Sequence, residues 1–227
     1  MAIACKEIEM NQGASIQGLG YFYGNTSGLI AVAFALPGRS TTVTTGDQNT
    51  TVICIGGGDF NVFLGDGGND GNGRNTVFSG GGNDLILGGA GYDTIHAGAG
   101  NDIVWGASGY NFLDGGFGND TIYVGSGDAA YGGPGSDNFT IVPKENHSIA
   151  EYTYLGDLSF LEGDKLDIST FFPEVTPNAM RIDGDNLLCD TNYGTMTLMG
   201  VGEQITLVGG VNAAIAAGYI STSWFYG

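Results

Sequence analysis

The stretch 79-SGGGNDLILGGAGYDTIHAGAGNDIVW-105 runs three times through one pattern: a small residue, Gly, any residue, Gly, any residue, Asp, any residue, a large apolar residue, any residue. The pattern extends in both directions. From Gly56 to Val142 it reads 56-GGGDFNVFL-64, an enlarged unit 65-GDGGNDGNGRNTVF-78, 79-SGGGNDLIL-87, 88-GGAGYDTIH-96, 97-AGAGNDIVW-105, 106-GASGYNFLD-114, 115-GGFGNDTIY-123, the eight-residue 124-VGSGDAAY-131 and 132-GGPGSDNFT-140. A period held over that many units predicts a solenoid.

In each unit the glycines supply the left-handed dihedrals of a tight turn, and the three residues after Asp predict a short strand whose middle side chain points inward. The inward set is Phe63, Val77, Ile86, Ile95, Val104, Leu113, Ile122 and Phe139. Two units make one coil with a turn at each end, so successive coils lie about 4.8 Å apart. Aspartates two units apart then become stacked neighbours.

Stacked carboxylates repel and raise one another's pKa unless positive charge lies between them. Calcium suits that gap, because it takes six to eight oxygens from carboxylates and backbone carbonyls. Magnesium demands tighter octahedral geometry, and zinc prefers the His and thiolate ligands these units mostly lack.

Composition agrees. Acidic residues number 24 against 6 basic ones, a formal charge of −18, which argues against nucleic acid and for a cation as partner. With 42% hydrophobic residues the chain can bury a core, and 43 glycines at a fixed period separate it from both linkers and collagen. The three cysteines, Cys5, Cys54 and Cys189, fit neither a zinc site nor a disulfide framework, although one bridge is open to them. The N-terminal 1-MAIACKEIEM-10 does not have the form of a cleaved signal peptide. The apolar run 29-LIAVAFAL-36 is too short to span a membrane and predicts a buried strand or short helix, so no transmembrane segment is expected.

The repeat is similar to the glycine-rich nonapeptide GGxGxDxUx of the repeats-in-toxin (RTX) family, and 162-EGDKLDIS-169 with the closing segment resembles the C-terminal end of RTX proteins. That resemblance implies a right-handed parallel β-roll that folds on binding calcium. It also implies export by type I secretion machinery without an N-terminal signal, and an extracellular or cell-surface location. Coupling of folding to metal is expected when the site does not exist in the unfolded chain.

Sorting the units alternately gives one edge with Asp84, Asp102, Asp120 and Asp137, where three calcium ions are expected. By the family's pattern the earlier turn of each pair offers carbonyls from its first and third residues: Ser79 and Gly81, Ala97 and Ala99, or Gly115 and Phe117. The later turn offers its second and fourth: Gly98 and Gly100, Gly116 and Gly118, or Gly133 and Gly135. The other edge carries Asn75, Asp93 and Asn111, and unit 124–131 reads as lacking the residue altogether. One further ion is expected there only if 65-GDGGND-70 sets Asp70 against Asp93.

Nothing in the chain reads as catalytic. His96 and His147 are the only histidines, and neither an HExxH motif nor a G-x-S-x-G elbow occurs. On the acidic edge's strands the outward positions are Leu85, Leu87, Ile103, Trp105, Thr121 and Tyr123, an apolar stripe that marks a contact surface. Residues 143–227 or a second copy could cover it, and the open ends of a solenoid offer a further route to stacking.

The expectation is an all-β calcium-binding roll at 56–142, between an N-terminal β segment at 1–55 and a β-rich C-terminal cap at 143–227. Its expected role is structural or adhesive, with self-assembly into an extracellular filament or surface layer. The alternatives are a secretion or accessory module of a small hydrolase, and a solenoid that binds carbohydrate or ice. Ice binding wants a regular outward Thr and Asx array, which these units do not present.

Overall fold

The computed structural model describes residues 8–9, 14–25, 28–47, 49–66, 73–142, 152–169, 179–191 and 194–222. Asp70, Cys5 and His147 lie outside them. Each nonapeptide's glycine turn hands the chain from one sheet to the other, so two long sheets grow side by side. The first runs, in spatial order, through Ile8–Glu9, Ser15–Gln17, Ser40–Thr44, Asp59–Phe63, Leu85–Leu87, Ile103–Trp105, Thr121–Val124, Asn138–Ile141, Lys165–Asp167 and Ile220–Ser221. The second runs through Met180–Asp183, Asn186–Thr191, Gly194–Met199, Tyr152–Leu155, Ala129–Tyr131, Phe112–Phe117, Thr94–Ala99, Thr76–Phe78, Thr50–Gly56, Gly28–Ala35 and Leu19–Asn25. The chain is an all-β parallel β-roll.

Within the repeats every pairing is parallel and in register: Ile86 faces Val104, which faces Ile122, and Val77 faces Ile95, which faces Leu113. One coil is eighteen residues, as the Asp84–Asp102 hydrogen bond shows. Among the described residues antiparallel pairing is confined to the ends of the stack: Ser15–Gln17 with Ile8–Glu9 and Ser40–Thr44, Leu19–Asn25 with Gly28–Ala35, and Asn186–Thr191 with Met180–Asp183 and Gly194–Met199. The run at 29–36 is therefore strand, and the stack continues on both sides of the repeats through Gly28–Ala35 and Lys165–Asp167.

Between the sheets lies one apolar column. Val62, Ile86, Val104, Ile122, Phe139 and Leu166 enter from the first sheet, and Val52, Val77, Ile95, Leu113, Ala130 and Leu155 from the second, all fully buried. Each large aliphatic in it contributes about 1.5–3 kcal/mol through removal from water.

The expected inward set holds except at Phe63. Val62 points inward there and pairs in register with Ile86, while Phe63 is half-exposed. The registers of Ile53 with Phe78 and of Asn61 with Leu85 set residues 54–60 against 79–84, so this turn is one residue longer and a frame begun at Gly56 starts one residue late. A slip of one residue in a strand moves every side chain to the opposite face.

At the C-terminal end, helices Gly202–Leu207 and Val211–Ala216 close the column with Ile205 and Ala214. The cap expected to be β-rich thus also contains two short helices. The second helix, VNAAIA, is rich in alanine, the strongest helix former, and lies between Gly210 and Gly218, both at positive φ. Cys54 and Cys189 are free and buried, and burial pushes both thiols up to about 12.

Candidate metal centre

The turn 97-AGAGND-102 shows how the edge is built. Gly98 and Gly100 have φ of 109° and 146°, a region L side chains avoid. A Cβ on Gly100 would stand 1.7 Å from the Gly82 carbonyl oxygen, and one on Gly118 would stand 1.6 Å from that of Gly100. Carbonyls of one turn thus point directly at the next turn's backbone. Ala99 N–H donates to Gly80 O (2.8 Å), Gly82 N–H to Ala99 O (3.0 Å) and Gly100 N–H to Phe117 O (2.8 Å). Each of these carbonyls keeps a second lone pair.

Two side-chain ladders run along this edge in opposite senses. Each aspartate's Oδ1 accepts the backbone N–H of the aspartate one coil earlier: Asp84 N–H donates to Asp102 (2.7 Å), Asp102 to Asp120 (2.7 Å) and Asp120 to Asp137 (2.8 Å). The preceding asparagines reach the other way. Asn101 N–H donates to Asn83 Oδ1 and Asn119 N–H to Asn101 Oδ1, each at 2.8 Å. The Asn-Asp dipeptide therefore ties its coil to both neighbours.

The aspartate ladder is longer than the nonapeptides suggest. Phe60 N–H donates to Asp84 Oδ1 (2.8 Å) at its start, and Asp137 N–H donates to Asp164 Oδ1 (2.8 Å) at its end. Asp164 was not among the expected residues. Its signal is the Asp-x-apolar spacing of Asp164 and Leu166, which matches Asp137 and Phe139.

The second carboxylate oxygens distinguish the sites. Ser79 Oγ donates to Asp84 Oδ2, and Ser159 N–H donates to Asp164 Oδ2 (2.8 Å). Between these ends, Oδ2 of Asp102, Asp120 and Asp137 is buried without any hydrogen-bond partner. Three orphaned anionic oxygens thus fall within a row of four aspartates, each only 1–2% exposed. A buried carboxylate oxygen without a donor costs several kcal/mol unless a cation meets it. Gly115 and Gly132, the first residues of their turns, leave the space: a Cβ would lie 2.4 Å from Asp120 Oδ2 and 2.3 Å from Asp137 Oδ2.

Burial, more than mutual repulsion, pushes these carboxyls up: Asp102 and Asp137 to about 7 and Asp84 to about 6, with neighbouring aspartates adding a smaller rise. Asp120 is raised for the same first reason. No three His, Cys, Asp or Glu side chains converge on one point among the described residues. A cation at this edge must be held by carboxylates from successive coils together with backbone carbonyls, a hard, all-oxygen donor set that fits calcium.

The opposite edge repeats the ladder without an orphaned carboxylate oxygen; the buried atom left unpartnered there is Asn111 Nδ2, a donor. Asn75 N–H donates to Asp93 Oδ1 (3.0 Å), Asp93 N–H to Asn111 Oδ1 (2.9 Å) and Asn111 N–H to Asp128 Oδ1 (2.8 Å). Unit 124–131 therefore does not lack its aspartate. Asp128 fills the place, and the missing residue is one of the turn. Both oxygens of Asp93 are engaged, Oδ2 by Gly89 N–H (3.2 Å), and Asp128 Oδ2 takes Gly125 N–H (2.8 Å).

The stripe on the first sheet is present as two rows, Leu85–Ile103–Thr121 and Leu87–Trp105–Tyr123. Ile103 is 43% and Trp105 40% exposed, while Leu85, Leu87 and Tyr123 are half-buried. The described part of 143–227 extends the stack. A second row went unread in the sequence because it lies on the other sheet: Phe78, His96, Phe112, Tyr131 and Tyr154 follow one another at centroid distances of 5.2, 5.5, 5.4 and 6.0 Å, the first pair stacked, the next two tilted and the last edge-to-face. His96 Nδ1 also lies 2.9 Å from Asp114 Oδ2.

A family profile for the RTX calcium-binding nonapeptide repeat matches the chain in four copies, at residues 71–95, 78–113, 96–129 and 111–139. No curated protein shows a significant match to the chain. The matched span holds Asp84, Asp102, Asp120 and Asp137 together with the three orphaned oxygens. Over residues 71–139 this β-roll is built of the calcium-binding nonapeptide repeats of the RTX family.

Proposed function

We propose that the protein is a secreted, non-catalytic structural or adhesive element whose roll is completed by calcium outside the cell and which then self-associates. One observation carries the reading: Oδ2 of Asp102, Asp120 and Asp137 is buried and unpartnered in successive coils. Calcium supplies positive charge and a shell of six to eight oxygens. In each of the gaps 84/102, 102/120 and 120/137, the two carboxylates supply the charge. Carbonyls of the first and third residues of the earlier turn and the second and fourth of the later turn supply the remaining oxygens. The hydrogen bonds on Oδ1 fix each carboxylate so that Oδ2 is left for the cation at Asp102, Asp120 and Asp137, while at Asp84 the cation takes Oδ2 from the Ser79 hydroxyl, which turns away. Asp93 and Asp128, whose oxygens are engaged by N–H groups, stay outside this set.

A chain that cannot close its acidic edge without calcium remains unfolded where calcium is scarce, which suits export in an unfolded state. The resemblance of 162–169 and the closing segment to type I secretion substrates supports the same route. Self-association draws on Ile103 and Trp105, large apolar side chains left in water on a flat sheet.

Far-ultraviolet circular dichroism and calorimetric calcium titration test the first part: calcium is expected to induce the β signal with three ions bound. A full β signal in excess chelator would refute it. Electron microscopy with and without calcium tests the second part, with Trp105→Ser expected to disperse the assemblies.

A second reading, carbohydrate binding, is favoured by the exposed row from Phe78 to Tyr154, because aromatic faces stack on sugar rings. Binding to a glycan array that is lost in Phe112→Ala would favour that reading.

A further inference from the structure

Among the described residues the two sheets end in four edge strands, and three are poor templates for pairing. Ile8–Glu9 and Ile220–Ser221 are two residues each, and Met180–Asp183 carries Arg181 and Asp183. The fourth, Leu19–Asn25, is seven residues long and reads LGYFYGN, without a charged residue or proline. Gly28–Ala35 is its one partner among the described residues. Charge, proline and brevity are the devices that keep an edge from recruiting another strand, and this edge has none of them.

The segment Gly20-Tyr21-Phe22-Tyr23-Gly24 is a palindrome. Two antiparallel copies related by a two-fold axis at Phe22 set Gly20 opposite Gly24, Tyr21 opposite Tyr23 and Phe22 opposite Phe22. An isologous interface needs such self-complementarity.

Backbone parity permits the register. Asn25 and Gly28 face each other across two intervening residues. The closing pair of a two-residue hairpin exchanges both hydrogen bonds, and such pairs alternate along an antiparallel ladder. Leu19, Tyr21, Tyr23 and Asn25 thus spend their N–H and C=O groups on Gly28–Ala35. Gly20, Phe22 and Gly24 turn theirs to the free edge, and the two-fold register pairs those three with one another. A shift by one residue would oppose free groups to groups already used.

Tyr21 and Tyr23 are 52% and 74% exposed, so the register brings them together in two cross-strand tyrosine pairs. Charge favours the same place. The chain carries −18, and an axis at this strand brings no charged side chain of the strand against its copy.

We infer that the protein forms a closed two-fold dimer in which Leu19–Asn25 of two copies pair antiparallel about Phe22, merging their second sheets into one. This contact is separate from the apolar-face association proposed above.

Sedimentation velocity of the full chain in calcium should show a species of twice 23.4 kDa. Tyr23→Lys, which sets like charges across the axis, and Phe22→Pro, which removes the central outward N–H, should both lose this pairing and, in a Trp105→Ser background free of apolar-face association, sediment as monomer. The calcium-induced circular dichroism of Tyr23→Lys should be unchanged. In a Cys5→Ser background, oxidised Tyr21→Cys or Tyr23→Cys alone should stay unlinked, while their equimolar mixture gives a disulfide-linked dimer. A wild-type monomer at about 100 μM, or linkage without mixing, overturns the inference. So does a dimer that survives Tyr23→Lys and is lost in Trp105→Glu, an outcome that leaves association through the apolar face standing.

Discussion

At Asp102 the two carboxylate oxygens have different fates. Oδ1 accepts the Asp84 N–H at 2.7 Å, and Oδ2 is buried with no donor. Asp120 has the same division, so Asp120→Asn keeps the acceptor for Asp102 N–H and replaces the unpartnered Oδ2 by an NH2, which removes both the charge and an oxygen ligand. Calcium affinity follows the charge count of the ligands, and the midpoint of calcium-induced folding should rise about 10-fold or more. Asp93→Asn should move it less than about 3-fold by the same reasoning, since both Asp93 oxygens already have N–H donors. Calcium titration followed by circular dichroism checks both, and equal shifts would contradict the division of roles. Glycine contrasts in the same way. Gly118→Ala drives a Cβ to 1.6 Å from Gly100 O at φ 133°, whereas Gly38, at φ 74°, has no atom within 4 Å of an added Cβ. Urea unfolding in calcium should show a loss of about 3 kcal/mol for the first and about 1 kcal/mol for Gly38→Ala.

For a strand, the residue period of two decides what a substitution does. Leu113 lies at the centre of the column and is fully buried, so Leu113→Ala should cost about 2–5 kcal/mol of stability. Trp105, one position outward from Val104, is 40% exposed, and Trp105→Ser should change stability by no more than about 0.5 kcal/mol. If self-association uses that face, the same variant should lose it, which light scattering beside urea unfolding would separate. The strand Asp59–Phe63 shows where pattern alone fails. Its turn, 54–60, is one residue longer than 79–84, and the nonapeptide frame assigned Phe63 to the core position that Val62 holds. A frame counted from glycines cannot see a residue gained or lost in a turn. The same blindness hid Asp128, which sits in register one residue early in its unit.

For the whole molecule, the raised carboxyls make stability depend on pH in a definite sense. Asp102 and Asp137 are pushed up to about 7, and Asp84 and Asp128 to about 6, from an ordinary 3.8. Between about pH 4 and 7 the folded, metal-free chain therefore holds more protons than the unfolded chain, so its stability rises as pH falls through that window. In chelator, acidification from pH 7.5 to 5 should increase the β signal, and a signal unchanged over that range would show that the edge is not strained by its charge. Calcium must displace those protons, so its apparent affinity should weaken from pH 7.5 to 6.

The nonapeptide period by itself determined the roll, the eighteen-residue coil, the aspartate edge and the inward column from Val77 to Phe139, because turn chemistry and strand alternation are local and repeat with the sequence. Asp84, Asp102, Asp120 and Asp137 were legible for that reason. The tertiary structure alone decided which of their oxygens lacks a donor, since Ser79 and Ser159 satisfy the two ends of the row through contacts no period encodes. It also decided that Asp164 continues the ladder, that two helices close one end, and that a long neutral edge strand lies at the other. Those features depend on where the stack stops, and a repeating pattern carries no information about its own ends.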